Sequence, residues 1–434
     1  MSPFEEATYK KVAWRLLPIL FLCYVLAYLD RVNVGFAKLQ MQKDLGFSDT
    51  VYGIGAGVFF IGYFLFEVPS NLILERVGAR IWIARIMILW GLVSAGTMFT
   101  SGETTFYLLR FTLGVAEAGF FPGIILYLTY WFTRAHRARM VAVFMTAITL
   151  SGVVGGPVSG WILASFSGAA GLAGWQWLYL LEGLPSVLVG LFVLLHLDDG
   201  PSKAKWLSDE EKKLLVRRIQ EEEKLKIEEG LGHHRLTDAF RSGRLWLHAL
   251  IYFCVVMGLY GISFWLPSIL SETMTSDPWH IGLLTAIPWG AAAVVMLLVG
   301  RHSDRTGERR WHTALPAFVA GAAFATSAAS GISPLQSFLA LTVATCGVMA
   351  AVSCFWSLPT AFLSGTAAAA GIAAINSIGN LAGYVSPFVV GHVRDRTGSM
   401  SAALVVLAGS LMVAGILTAW AGPRSTRGSG KPAD

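Results

Sequence analysis

Along the 434 residues, apolar runs recur twelve times between short clusters of Gly, Pro or charge. A helix needs about 20 apolar residues to cross the hydrocarbon core, and only helices or closed barrels satisfy their backbone groups there. The runs predict spans at roughly 15–37, 51–73, 81–100, 106–130, 140–164, 176–197, 245–270, 280–300, 313–330, 335–357, 371–393 and 400–421. The expected fold is therefore an all-α membrane protein of twelve transmembrane helices.

One long hydrophilic stretch, 198–244, divides the runs six and six. This predicts an N-terminal six-helix bundle over 1–197, a linker over 198–244, a C-terminal six-helix bundle over 245–422 and a disordered Gly/Ser/Arg-rich tail over 423–434. Within the linker, Ser208 and Glu211 have capping-box spacing, and Leu207, Leu214, Leu215 and Ile219 recur at helical intervals. A short amphipathic helix on the cytoplasmic face is expected. The halves also repeat. Glu75-Arg76-Val77-Gly78-Ala79-Arg80 follows the second span and Asp304-Arg305-Thr306-Gly307-Glu308-Arg309 follows the eighth, a constant offset of 229. Such parallel repeats imply two pseudo-symmetric bundles related by an axis along the membrane normal.

Composition agrees with this layout: 55% of residues are hydrophobic and 14% charged, where a soluble chain has about 25% charged. The net charge of +6 does not form a clustered footprint for nucleic acid, because the charges lie between apolar runs. With a cytoplasmic N-terminus, 27 of the 33 Lys and Arg residues fall in inside segments and four in outside loops, Lys38, Lys43, Arg394 and Arg396. That asymmetry is the positive-inside pattern and predicts cytoplasmic termini in a bacterial-type inner membrane. The basic start, Lys10, Lys11 and Arg15, resembles a signal peptide, but the apolar run passes Tyr28 without a small-residue cleavage site and stays as the first helix. Cys23, Cys254, Cys346 and Cys354 lack ligand spacing and are read as small buried hydrophobes. No nucleotide loop, metal cluster or nucleophile constellation suggests an enzyme, a metal or a cofactor.

Gly300-Arg301-His302-Ser303-Asp304-Arg305-Thr306-Gly307-Glu308-Arg309-Arg310 resembles the G-x-x-x-D-R-x-G-x-R/K loop of the major facilitator superfamily. Gly152-Val153-Val154-Gly155-Gly156-Pro157 is similar to the G-x-x-x-G-P element of that superfamily. The first loop copy departs from the pattern, with Asn71 for the leading Gly and Glu75 for Asp. A narrower resemblance is to the anion:cation symporter family, carried by Tyr28-Leu29-Asp30-Arg31-Val32-Asn33, by Arg110 through Glu117 to Pro122, and by Asn376-Ser377-Ile378-Gly379-Asn380-Leu381. The resemblance implies transport of small organic carboxylates, such as hexuronates, aldonates, tartrate or aromatic acids, usually with protons.

Ionisable groups inside a span cost at least about 2.5 to 3.5 kcal/mol and normally face a cavity or partner. Four are expected: Asp30 and Arg31 in the first span, Arg110 and Glu117 in the fourth. By helical spacing Tyr24, Tyr28 and Arg31 share a face, whereas Asp30 points about 100° away. Arg31 offers paired donors to a substrate carboxylate and keeps its charge, while Asp30 and Glu117 are candidate proton carriers, with Arg110 as a gate or tuning partner. Static ion pairing between helices is the plainer alternative. Resemblance to the symporter family places Tyr63, Trp356 and Asn376 at positions lining the substrate cavity; Asn376 suits hydroxyls and Trp356 an apolar face. For the aromatic residues packing or an interfacial belt is the alternative, and Asn380, one turn beyond Asn376, serves equally as helix glue. Glu75, Arg76, Asp304, Arg305 and Arg309 are expected to act as conformational latches, or simply as topology determinants. Gly152, Gly155, Gly156 and Pro157 permit close helix packing and a bend.

The leading expectation is proton-coupled import of a small organic anion by a monomer in the bilayer, the proton serving as coupling ion. An exporter or exchanger of the same fold, and a non-transporting sensor, are the rivals. The Asp30–Arg31 pair argues against a cation exporter, and the longest hydrophilic segment is too short for a signalling domain.

Overall fold

The computed structural model describes residues 2–228, 242–359 and 365–421, and among these every regular element is helical. The tail expected from 423 lies outside the described residues. The first half holds α1 (Pro3–Val32), α2 (Val34–Leu45), α3 (Asp49–Val77), α4 (Ala79–Gly96), α5 (Glu103–Glu117), α6 (Phe120–Thr129), α7 (Arg134–Met145), α8 (Ala147–Ser165) and α9 (Gly174–His196). After α10 (Asp209–Glu228) come α11 (Gly243–Thr273), α12 (Pro278–Thr306), α13 (Arg310–Ser327), α14 (Pro334–Phe355), α15 (Gly365–Asn380), α16 (Ala382–Thr397) and α17 (Met400–Ala421).

Among the described residues, 11 helical segments are long and apolar enough to cross a membrane. The run expected at 313–330 folds as α13, whose 18 residues open on Arg-Trp-His and are rich in alanine, so it is not among those 11. Several expected spans are broken helices. The first extends to Leu45 through a turn at Asn33, so Lys38, expected in an outside loop, is instead a residue of α2 and only 3% exposed. The fourth breaks at Ala118–Gly119 and the eleventh at Leu381.

The chain divides into two compact units. The first comprises 1–47, 54–232 and 277–283, and the second comprises 48–53, 233–276 and 284–434. In the first, α4 and α9 meet through small residues: a Cβ on Gly183 would lie 2.6 Å from the Ala95 amide nitrogen and 2.8 Å from the Gly91 carbonyl oxygen. The outer face of α9 carries Leu184, Leu188, Leu191, Phe192 and Leu195, all exposed, while Tyr179, Glu182, Ser186 and Gly190 are buried. A helix with its leucines outward and its acid inward is inverted relative to a soluble protein, as a lipid solvent requires. In the second unit α11 is buried along most of its length, from Leu245 to Leu270, and packs on α14, α15, α16 and α17. Apolarity on all sides suits such a central position.

The helix α10 opens with the reciprocal bonds of a capping box, Glu211 N to Ser208 Oγ at 3.2 Å and Ser208 N to Glu211 Oε2 at 2.8 Å. It is tied to α1 by Arg218–Glu5 at 2.9 Å and Lys11–Glu211 at 2.8 Å. The loop copies share a backbone feature: Gly78 (φ 99°) and Gly307 (φ 68°) both adopt positive φ, which glycine takes without steric cost. In the second copy Arg309 pairs with Asp304 at 2.6 Å and donates to Ser303 Oγ at 3.0 Å. Glu75, Arg76 and Arg305 are exposed.

Beside that loop Glu308 caps α13, accepting from Trp311 N at 2.7 Å and from His312 N at 3.2 Å. Partial burial would raise its pKa, but the Trp311 and His312 hydrogen bonds outweigh this and hold it below its ordinary value of 4.5. Glu308→Ala is expected to lower stability by about 1 kcal/mol, the usual worth of a cap. Because the folded pKa is depressed, that contribution is complete at neutral pH and is lost as pH falls through the carboxylate range. Thermal unfolding in detergent at neutral and acid pH checks both points; an equal deficit at both would remove the cap as its cause.

Candidate functional site

The site of the first unit is built at two helix breaks. The turn at Asn33 ends α1 just after Asp30 and Arg31. Helix α5 ends on Glu117 because Ala118 is extended and Gly119 is left-handed (φ 83°). A Cβ on Gly119 would collide with the Ser70 side chain, so the break needs glycine for conformation and for space. Discontinuous helices of this kind leave backbone and side-chain polar groups facing the interior of a bundle.

Arg31 Nη2 forms an ion pair with Glu117 Oε1, joining the two breaks. Glu117 is fully buried, and its other oxygen has no hydrogen-bond partner among the described residues. The Arg31 guanidinium is surrounded by rings, with its Cζ 5.9 Å from the Tyr28 centroid, 5.3 Å from Phe59, 6.0 Å from Phe60 and 5.5 Å from Tyr63. Such cation–π contacts replace part of the hydration that a buried guanidinium loses. Arg110, expected as a gate or tuning partner, lies beside this pair. Its Nη2 donates to the Arg31 carbonyl at 3.2 Å, its Nε to the Gly55 carbonyl at 3.4 Å, and Phe59 lies under both guanidiniums. Close approach of α5 to α3 is possible because Gly114 rests on the Phe59 carbonyl.

Asp30 faces another sector, as the spacing predicts. It is fully buried and accepts from Trp90 Nε1 at 3.0 Å, Ser94 Oγ at 2.6 Å and Ser186 Oγ at 2.7 Å. Arg31 is thus balanced by Glu117 rather than by Asp30. The expectation of four ionisable groups within spans is corrected. Glu67 in α3 (8% exposed) and Glu182 in α9 (5%) are further buried acids. Both sit well inside apolar runs, which was the available signal.

In the second unit Trp356 ends α14 and packs against Tyr252 at 4.8 Å. The Tyr252 ring also lies on Gly379, where a Cβ would clash with it. Tyr252, unremarkable in sequence, therefore joins Trp356 to the stretch of α15 that carries the half-buried Asn376 and Asn380. The glycine-rich element of α8 packs tightly: a Cβ on Gly282 would strike the Gly156 carbonyl, and Gly152, Gly155 and Gly156 are buried one to two residues ahead of Pro157 or a turn before it.

The family model described as Major Facilitator Superfamily matches residues 20–387. The chain belongs to that superfamily. It is a multi-pass membrane transporter and not an enzyme. It is 50% identical to the "Putative tartrate transporter" of Agrobacterium vitis, over 96% of this chain and 95% of that one. It is 48% identical to the "Putative metabolite transport protein NicT" of Pseudomonas putida, over 94% and 93%. A further relative, 41% identical over 96% and 95%, is the quinolone resistance transporter of Acinetobacter baumannii. Among solved structures, the inward-open xylose transporter XylE of E. coli superposes with a TM-score of 0.76 over 96% of this chain and 98% of that one; at 14% identity this likeness concerns the fold.

Proposed function

We propose that the protein is a proton-coupled importer of a small organic carboxylate, working by alternating access in a bacterial inner membrane with both termini cytoplasmic. The observation that carries this is the buried Arg31–Glu117 pair. A guanidinium held by a carboxylate binds a substrate carboxylate only in competition with it. A proton on Glu117 cancels that competition, so proton and anion load together and leave together. This mutual dependence is the requirement for symport. Tyr28 and Tyr63 flank the guanidinium, Arg110 braces the backbone beneath it, and Asp30 is a second candidate for proton traffic. Trp356, Asn376 and Asn380 are proposed to contact the carbon skeleton and hydroxyls of the substrate. Glu75, Arg76, Asp304, Arg305 and Arg309 are proposed as latches. The tartrate name of the Agrobacterium relative supports a hydroxydicarboxylate within this class.

An exporter is the second reading, favoured by the quinolone-resistance relative. Proteoliposomes separate the two. Tartrate, a hexuronate, an aldonate and an aromatic acid are each offered with an inside-alkaline gradient at clamped membrane potential. At least one is expected to accumulate and to be released by a protonophore. Uptake indifferent to the protonophore would overturn proton symport, and gradient-driven movement of a quinolone, offered beside the panel, with none of the four panel acids moved would establish the exporter.

A further inference from the structure

Glu182 lies on α9 and is 5% exposed. The Ser159 hydroxyl of α8 donates to its Oε1 at 2.6 Å, while Oε2 has no hydrogen-bond partner among the described residues. Beside the carboxyl lies Asn33, the residue of the α1–α2 turn. Asn33 is 1% exposed, and its amide meets the Glu182 carboxyl without a hydrogen bond of ordinary geometry at either Nδ2 or Oδ1. A buried amide whose neighbouring acid is poorly aligned with it leaves hydrogen-bonding capacity unused, and such an arrangement in a native site calls for an explanation.

The titratable groups near Glu182 are Asp30 on α1 and Tyr179 one turn earlier on α9. Neither is a cation. Asp30 is already served by Trp90, Ser94 and Ser186, and Glu117 by Arg31, so each has partners suited to a charged carboxylate. Glu182 has one hydroxyl and an amide, which suit both protonation states. With a proton, its O–H donates to Asn33 Oδ1. Without it, Asn33 Nδ2–H donates to the carboxylate, and a flip of the amide about its Cβ–Cγ bond exchanges the two arrangements. Ser159 donates to the other oxygen in either case.

We propose that Glu182, with Asn33 and Ser159, is a second proton-binding site, separate from the Arg31–Glu117 pair, that loads and unloads one proton in each transport cycle. Asn33 is the turn residue directly after the segment carrying Asp30 and Arg31. A change in its hydrogen bond therefore acts on the kink that positions the substrate-reading arginine. The cargo of this site is a proton alone, since a single acid with one hydroxyl and one amide falls short of the oxygen ligands that a hard metal cation takes.

This inference rests on the reading of the protein as a proton symporter, and the test separates the two. The proton-to-substrate ratio is measured in proteoliposomes, from the membrane potential at which net flux of the best-transported carboxylate of the panel reverses, for the parent, Glu182→Gln and Glu182→Asp. Glu182→Gln imitates the protonated acid: its amide donates to Asn33 Oδ1 and its carbonyl still accepts from Ser159. It is expected to keep exchange of substrate across the membrane but to move one proton fewer per substrate. Glu182→Asp is expected to keep the parent ratio, because it keeps an acid, while the pH of half-maximal uptake moves by about one unit as the carboxyl draws back from Ser159. A purely structural Glu182 would leave the ratio unchanged in Glu182→Gln, and that result overturns the proposal. If Glu182→Gln does not insert, Glu182→Asp decides, since an unmoved pH profile overturns the proposal as well. A parent whose flux takes no account of the pH gradient would refute symport itself, whatever the variants do.

Discussion

Glu117→Gln is expected to lower accumulation of the carboxylate by about a hundredfold in a gradient of two pH units while leaving exchange across the membrane intact. Each pH unit is worth about 1.36 kcal/mol for one proton, about tenfold in concentration ratio. In a gradient of two units each coupled proton thus contributes about a hundredfold to accumulation, and the variant is expected to fall short of the parent by that factor. Glutamine keeps an oxygen for Arg31 Nη2, so the geometry of the pair survives while its charge balance is lost. Arg31 is then a buried cation without an ion-pairing carboxylate at Glu117, a costly condition that a substrate anion relieves. Affinity for the carboxylate is therefore expected to hold or rise and to lose the part of its pH dependence that Glu117 supplies. Titration calorimetry across pH together with gradient-driven uptake checks this. A variant that still concentrates substrate as the parent does would take the coupling proton away from Glu117 and leave it to Asp30 or Glu182.

The helical membrane fold was legible because lipid imposes a simple rule on the sequence: long apolar runs, with basic residues gathered between them. The repeat at 75–80 and 304–309 was equally open, and the positive φ at Gly78 and Gly307 gives its glycine a physical reason. The breaks were not legible. Nothing in the run Phe106–Thr129 distinguishes Gly119, which is left-handed, from Gly114, which is helical and needed only for packing. Asn33 likewise looked like one more residue beyond Arg31, although it ends a helix there.

The candidate site shows the same division. Spacing along one helix separates Asp30 from Arg31 correctly, because the 3.6-residue period is local. Pairing between helices is not local. Arg31 and Glu117 are 86 residues apart, and Arg110 reaches the Arg31 backbone across 79. Lys38 follows the apolar run and reads as a loop residue, yet α2 continues the helix and buries it. Glu182 lies six residues inside the expected span 176–197, so its burial was open to the same argument as that of Glu117, and only its partner Ser159 on α8 is non-local.

Arg31 carries the assignment of the substrate as an anion, and its substitution has the second large effect. Arg31→Ala alone would leave Glu117 fully buried without its cation. Breaking a buried pair in this way costs about 3 to 5 kcal/mol, against a total stability of about 5 to 15 kcal/mol, so poor recovery of that variant is expected. Arg31→Lys keeps a charge for Glu117 but loses the planar pair of donors. Its affinity for the carboxylate is expected to fall by about 2 kcal/mol, roughly thirtyfold in Kd. The double variant Arg31→Ala, Glu117→Gln removes both charges together, so it should melt above Arg31→Ala in a thermal-shift assay and yet fail to bind the carboxylate. An amide analogue of the substrate, which lacks the charge that a guanidinium reads, should bind the parent and the double variant equally weakly. Full carboxylate affinity in the folded double variant would sink the role of Arg31 and pass it to Arg110, the other guanidinium over Phe59.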